Sequence, residues 1–398
     1  MREAVVVDAI RTPVGRYGGV LKDVRADDLA VLCIAEITKR NNLDPNKVED
    51  VLMGCSNQAG EDNRNVGRMA LLLAGFPVEV AGQTINRLCG SALNAINSAA
   101  QAIKVGEGDV FIAGGTESMT RAPFAFAKAD SAFPREVKVF DSTIGWRFIN
   151  PKMVEKYPPL GMGETAELVA EKYAITRLEQ DEFALATQKK WGAAFETGKF
   201  KDEMVNVPIP QKKGDPLIVD RDEHPRPDTT MEQLAKLKPA FKKDGTVTAG
   251  NASGVNDGAA AVLLMEAQTA KALGYTPIVR VVSSAVAGVH PSYMGLGPIP
   301  ATRKALQRAG LKIEDIDLVE LNEAFAAQSI PCIRELRMDP AKVNVNGGAI
   351  AIGHPLGSTG ARIFTTLVHE MKRRKARYGL VTMCIGVGQG IATIVERV

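Results

Sequence analysis

The chain has no CxxC pair, no GK[ST] phosphate loop and no apolar run that approaches the length of a membrane span. Each absence removes a class of function. Without CxxC spacing, the five cysteines (Cys33, Cys55, Cys89, Cys332 and Cys384) argue against a zinc site or a thioredoxin-like redox pair. Without GK[ST] there is no nucleotide P-loop. Charge of one sign is also scarce. Lys and Arg number 49 against 46 Asp and Glu, and a net charge of +3 gives no dense basic stripe for nucleic acid. The run Lys372, Arg373, Arg374, Lys375, Arg377 reads as the solvated end of a helix, where cations suit the dipole. The opening MREAVVVDAIRTP reads as a strand at once. It lacks the apolar stretch and small-residue cleavage site of a secretory signal, so no membrane insertion and a reducing cytoplasm are expected.

What is present is a repeated plan. With 398 residues and 45% hydrophobic composition, the chain can bury a large core in two or three domains. EAVVVDAIRTPVGRYGG near the start answers PIVRVVSSAVAGVHPSYMG from Pro277, offset by roughly 270 residues. DDLAVLCIAEITKRNNLDPNKVEDVLMGC then matches IPATRKALQRAGLKIEDIDLVELNE, and GDVFIAGGTES matches YGLVTMCIGVG. Short apolar strands alternating with amphipathic helices predict an α/β fold of two similar βαβ-type halves, packed as a layered sandwich. The expected division is residues 1–117 with 251–270, an inserted loop segment 118–250, and 271–398. NASGVNDGAAAVLLMEA at Asn251 reads as the last strand of the first half. The insertion is richer in Pro, Lys and Asp and carries its own helical pieces, as a lid or binding subdomain does. Its Lys212, Lys213, Arg221, Arg226, Lys242 and Lys243 suit either a phosphorylated ligand or a solvated surface.

Four side chains stand in glycine-rich settings. Cys89 in NRLCGSALNA lies at or just before a helix N-terminus, where free N–H groups lower a thiol pKa. The alternative is an inert buried cysteine. His354 in GGAIAIGHPLGSTGAR, with a helix starting near Ser358, is placed as a general base or as a structural turn residue. Cys384 ends the strand YGLVTMC, and backbone N–H groups around Gly386 offer an oxyanion site. GVGQG is no dinucleotide fingerprint, because the helix and downstream acid that such a loop needs do not follow it. Asn322 follows the strand DIDLVEL, either as holder of a water against an oxyanion or as a plain turn residue. His224, His290 and His369 lack such settings and read as structural. A thiol beside an imidazole, with a second thiol as proton donor and no metal, suits carbon–carbon bond chemistry on thioesters.

NRLCGS, AGGTESM, TAGNASGVNDGAAA, NEAFA, GHPLGSTGAR and CIGVGQG, in this order across the chain, resemble the thiolase family. The resemblance implies reversible cleavage of 3-ketoacyl-CoA by CoA, including acetoacetyl-CoA formation in reverse, through a ping-pong acyl-cysteine route. It implies a place in fatty acid metabolism, no metal and no permanently bound cofactor, with CoA and acetyl-CoA as substrates. It also implies a homodimer or homotetramer joined through the sheet edge of the first half. Cys89 is then the acylated nucleophile, His354 its base, and Cys384 the acid/base at the acetyl-CoA carbon. Asn322 holds an oxyanion-hole water, and the N–H groups of Cys89 and Gly386 form a second hole. Segment 118–250 becomes the CoA-binding loop domain. Ser253 contacts pantetheine, Ala249, Met162, Met294 and Phe325 line the tunnel, and Arg226 lies near the adenosine.

Two features depart from short-chain biosynthetic members. Gly161 stands in LGMGETAE where those often carry His, and ESMTRAPFAFAKADSAF with FDSTIGWRFINP is similar to the degradative, ketoadipyl-CoA branch. Val387 stands where Gly is common. A ketoacyl synthase shares the duplicated plan but uses a second His or an Asn in place of Cys384. A non-catalytic acyl-CoA or lipid-binding relative need not keep Cys89, His354 and Cys384 together.

Overall fold

The computed structural model describes residues 2–398. The first half runs β1 (Ala4–Arg11), α1 (Ala26–Arg40), β2 (Asp50–Gly54), α2 (Val66–Leu73), β3 (Ala81–Ile85), α3 (Ser91–Val105), β4 (Val110–Ser118) and, after the insertion, β5 (Asn256–Glu266). The insertion carries α4 (Met162–Tyr173) and α5 (Arg177–Glu196). The second half runs β6 (Val279–Gly288), α6 (Pro298–Ala309), β7 (Leu318–Leu321), α7 (Ala326–Glu335), α8 (Leu356–Arg374), β8 (Tyr378–Ile385) and β9 (Gln389–Arg397).

The strands lie in the order β3-β2-β4-β5-β1-β6-β9-β8-β7. β2 is parallel to β3 and β4, and β7 is parallel to β8. β5 is antiparallel to β4 and β1, as β9 is to β8 and β6. The halves meet where β1 and β6 pair antiparallel at Val5–Arg280 and Val6–Val279. Val343 makes a lone parallel bridge to Val319 in β7, the place that β3 fills in the first half.

Strand alternation builds the layers. In β5, Ala260, Val262 and Leu264 face one core while Ala259, Ala261 and Leu263 face another. In β1 the register shifts between Val6 and Asp8, so Val6 and Ala9 share a face across the bulge. The middle core holds α3 and α8 between the two half-sheets. α1 and α2 cover the outer face of the first half, and α6 and part of α7 cover that of the second. α3 supplies Ala92, Ala95, Ala99 and Ala100 to this contact. A Cβ at Gly360 of α8 would lie 2.4 Å from the Leu93 nitrogen, so the two helices approach as closely as backbone allows.

The expected duplication is present block for block: β1 answers β6, α1–β2 answers α6–β7, and β4 answers β8. Differences are local. The strand expected at Asn251 starts at Asn256, while α8 starts at Leu356, close to the expected Ser358. The insertion is docked on β1 through the fully buried Arg11, which pairs with Glu203 at 2.6 Å and Asp222 at 2.7 Å. Its six noted cations are all exposed, and Lys242 pairs with Glu171. No helix among the described residues is long and apolar enough to cross a membrane.

Candidate active site

Cys89 stands on the turn between β3 and α3, one residue before the Gly90 cap. Leu88 adopts φ 46°, and the Ser91 hydroxyl closes the turn by donating to the Leu88 carbonyl at 2.6 Å and accepting from the Arg87 N–H at 2.9 Å. His354 stands just ahead of α8. Its N–H donates to Asn256 Oδ1 at 2.9 Å, and Gly353 before it sits at φ 111°. A Cβ on Gly353 would lie 2.5 Å from Asn256 Cγ, so only glycine allows this grip. Cys384 lies on β8 opposite Gly390, and Gly386–Val387–Gly388 turn the chain into β9.

These three elements bring Cys89, His354 and Cys384 to one cavity of about 460 Å³. Gly386, Ser253, Met162, Met294 and Phe325 line it too. That size and its mostly apolar wall suit a small-molecule site. A second space of about 400 Å³ adjoins, sharing Cys89, Met162, Leu356 and Gly386 with the first.

The imidazole is held in one tautomer. Thr359 Oγ1 donates its single proton to the Pro355 carbonyl at 2.8 Å, so it accepts from His354 Nδ1 at 2.7 Å. Nε2 is then unprotonated and accepts from Asn322 Nδ2 at 3.3 Å. Burial and the nearby Arg362 guanidinium push His354 down to about 3, so it rests neutral. Burial pushes the Cys89 thiol up to about 11, against the opposing N–H groups of Gly386 and of Cys89 itself. This corrects the expectation of a lowered thiol: position before the helix is as expected, but desolvation outweighs the helix end. Cys89 keeps partial exposure through the cavity, so a ligand filling that cavity deepens the desolvation. Cys384 is buried, and burial together with Cys89 holds its thiol well above the ordinary range. All three groups therefore rest uncharged.

Three expected site residues lie off the cavity wall. Asn322 is buried behind His354, with its Oδ1 unpartnered. Ala249 is exposed on the turn ahead of Asn251 and lines no part of the cavity, because that turn points its side chain outward. Arg226 is exposed and borders a separate surface pocket with Trp191 and His224. Of the remaining histidines, His369 Nε2 donates to the Ala9 carbonyl at 2.8 Å. His290 Nδ1 accepts from the Ser292 N–H at 3.3 Å, and burial pushes His224 down to about 4. Sequence reasoning missed Phe241, Thr359 and Asn256. Phe241 lines the cavity and meets Phe325 edge-on at 6.0 Å; a lone aromatic amid KPAFKKDG was its signal. Thr359 and Asn256 lay inside recognised motifs but had no chemistry of their own to mark them.

Residues 4–268 match the family described as "Thiolase, N-terminal domain", and residues 275–397 match "Thiolase, C-terminal domain". The chain is 57% identical to the 3-oxoadipyl-CoA/3-oxo-5,6-dehydrosuberyl-CoA thiolase of Escherichia coli (strain K12), with all of both chains covered. Among solved structures, it is 43% identical to the Bacillus anthracis acetyl-CoA acetyltransferase, with a TM-score of 0.94 over 100% of this chain and 99% of that one. It is 45% identical to human mitochondrial 3-ketoacyl-CoA thiolase in complex with CoA, with a TM-score of 0.93 over 100% and 98%. Two thiols and an imidazole meeting on one cavity of a duplicated α/β fold, matched along its whole length, place this chain in the thiolase family.

Proposed function

We propose that this thiolase cleaves 3-oxoadipyl-CoA with CoA to give acetyl-CoA and succinyl-CoA. The observation that carries the chemistry is the convergence of Cys89, His354 and Cys384 on one cavity from three separate elements. The relative at 57% identity, named for 3-oxoadipyl-CoA, supports a dicarboxylic substrate over the fatty acid role that the family resemblance implied, in line with the ketoadipyl-CoA likeness of the FDSTIGWRFINP segment. Thiolases use no resident cofactor, and CoA enters as substrate.

In the proposed cycle, His354 Nε2 takes the Cys89 proton as the sulfur attacks the C3 ketone. The N–H groups of Gly386 and Cys89, which face the sulfur, would receive the oxyanion. The C2–C3 bond then breaks. Cys384 gives its proton to the departing acetyl-CoA carbon, leaving a succinyl group on Cys89. A second CoA attacks that thioester, Cys384 recovers a proton from the CoA thiol, and His354 returns its proton to Cys89. Asn322, beside His354 Nε2 and with a free Oδ1, suits holding a water against the thioester oxygen. Ser253, Met162, Met294 and Phe325 would line the pantetheine path, with segment 118–250 as the CoA-binding loop domain and exposed Arg226 available to the adenosine end. Five free thiols suit a reducing cytoplasm, and the unpaired outer edge of β3 suits a homo-oligomer.

Thiolysis followed by loss of the substrate's ultraviolet absorbance tests this reading. Acetoacetyl-CoA and 3-oxoadipyl-CoA should both be turned over beyond one equivalent of protein only when CoA is added, the latter with the higher kcat/KM and with succinyl-CoA as product. Absence of CoA-dependent cleavage of either would contradict it.

A further inference from the structure

The space behind Cys89, away from the Ser253 side, contains one charged side chain. Among the described residues, Arg147 is the only cation lining this second cavity, and no carboxylate lines it. Arg147 is half-buried. Arg121, earlier in the same insertion, pairs with Glu61, whereas among the described residues Arg147 takes part in no ion pair and donates no hydrogen bond.

The other polar groups of this wall are already engaged. Asn57 Nδ2 donates to Ser142 Oγ at 3.0 Å, and Ser142 Oγ donates to the Pro123 carbonyl. Ser56 Oγ donates to Glu117, and Thr143 Oγ1 donates to the Met119 carbonyl at 3.2 Å. Asn86 Nδ2 donates to the Ser56 carbonyl at 3.1 Å, and Trp146 Nε1 to the Leu160 carbonyl at 2.9 Å. An anion entering here would meet one uncommitted charged donor, a guanidinium whose planar fork matches a carboxylate.

We propose that Arg147 binds the terminal carboxylate of the acyl chain and so selects dicarboxylic 3-oxoacyl-CoA substrates. This rests on the thiolase reading above. Once Cys89 attacks C3, the thioester arm occupies the side of Ser253, His354 and Cys384. The remainder of 3-oxoadipyl-CoA, two methylenes and a carboxylate, must enter the adjoining space that also starts at Cys89 and Gly386. Leu88, Met162 and Leu356 face the methylenes there, and Arg147 closes the polar end. A chain ending in methyl would leave the guanidinium desolvated without a partner, which disfavours it by the same contact that favours the acid.

The test compares kcat/KM for thiolysis of 3-oxoadipyl-CoA and of 3-oxohexanoyl-CoA, which has the same length and a terminal methyl. Wild type should prefer 3-oxoadipyl-CoA. Arg147→Met should lose on the order of 10- to 100-fold on 3-oxoadipyl-CoA and far less on 3-oxohexanoyl-CoA, which also reports that the variant is folded. Arg147→Lys should recover part of the loss, and Arg147→Glu should fall below Arg147→Met on the acid alone. A wild type that cleaves 3-oxohexanoyl-CoA at least as well as 3-oxoadipyl-CoA overturns the dicarboxylic reading itself. A wild type that prefers the acid, with an Arg147→Met that keeps the same preference or loses equally on both, overturns the role of Arg147 alone.

Discussion

The two halves share one plan and differ at the ends of the same strands. In the first half, β2 runs into Cys55, Ser56 and Asn57, and Glu117 stands near the end of β4. The buried Glu117 carboxylate accepts from the N–H groups of Ser56 at 2.9 Å, Asn57 at 3.1 Å and Gly357 at 2.8 Å. It is fully used in holding loops, one of them the start of α8 beside His354. In the second half, β7 runs into Asn322 and β8 carries Cys384. There Asn322 Oδ1 has no partner among the described residues, and Cys384 lines the cavity. The same strand ends thus hold a clamp in one copy and carry Asn322 and Cys384 in the other. The starts of α3 and α8 are equivalent too, and they carry Cys89 and His354 toward a common space.

The sharpest way to break this comparison is to remove the cavity-lining thiol of the second half. Cys384→Ala should lower thiolysis of acetoacetyl-CoA by orders of magnitude while acetyl-CoA still acetylates Cys89, since that uptake breaks no carbon–carbon bond. Near-normal steady-state thiolysis would show that Cys384 is structural. Asn322→Ala should come next, lowering kcat by about 10²–10³ with little change in KM for CoA, as loss of an oxyanion-hole contact does. A raised KM with unchanged kcat would make Asn322 a binding residue.

A smaller effect concerns pH. The unfolded chain takes up a proton on His354 near 6.5, and the folded chain refuses it until about 3. His354 therefore costs stability as pH falls through that window, and His354→Gln should lose less stability than wild type across it in thermal melts. For the same reason kcat should stay level from about pH 8 to about pH 5. An acid limb near 6.5 would show that the imidazole charges in the ordinary range.

The smallest effect is on the turn that carries Gly386. Val387 sits at φ 63°, a strained conformation for a β-branched residue. Val387→Gly should raise stability by up to about 1 kcal/mol, the strain relieved less the entropy glycine loses. A lower unfolding midpoint would mean that the Val387 side chain makes contacts worth more than the strain.

Much of this was legible in the sequence for a physical reason. Strand and helix periodicities survive in both copies because each half buries the same faces, so the fold could be read from three matched blocks. Cys89, His354 and Cys384 stood out because each sits where glycine lets the backbone come close. The thiol's acidity was not legible: a helix N-terminus is local, but the desolvation that overrides it comes from α8, β8 and the insertion folding over Cys89. Ala249, expected on the tunnel wall, lines no part of the cavity for a similar reason, since its side-chain direction depends on how segment 118–250 docks. The tautomer of His354 depends on Thr359, a group with no signature except its contact. Arg147 lies in FDSTIGWRFINP, yet its lack of an ion pair among the described residues is a property of the packed loop.

The central claim is that the first half carries the acyl group while the second half handles the protons. Peptide mass mapping after mixing the protein with 3-oxoadipyl-CoA in the absence of free CoA tests it directly. The account predicts one succinyl group, on Cys89 alone, released as succinyl-CoA when CoA is added. A succinyl group on Cys384 or Cys55, or an acetyl group on Cys89 as the first adduct, would contradict it.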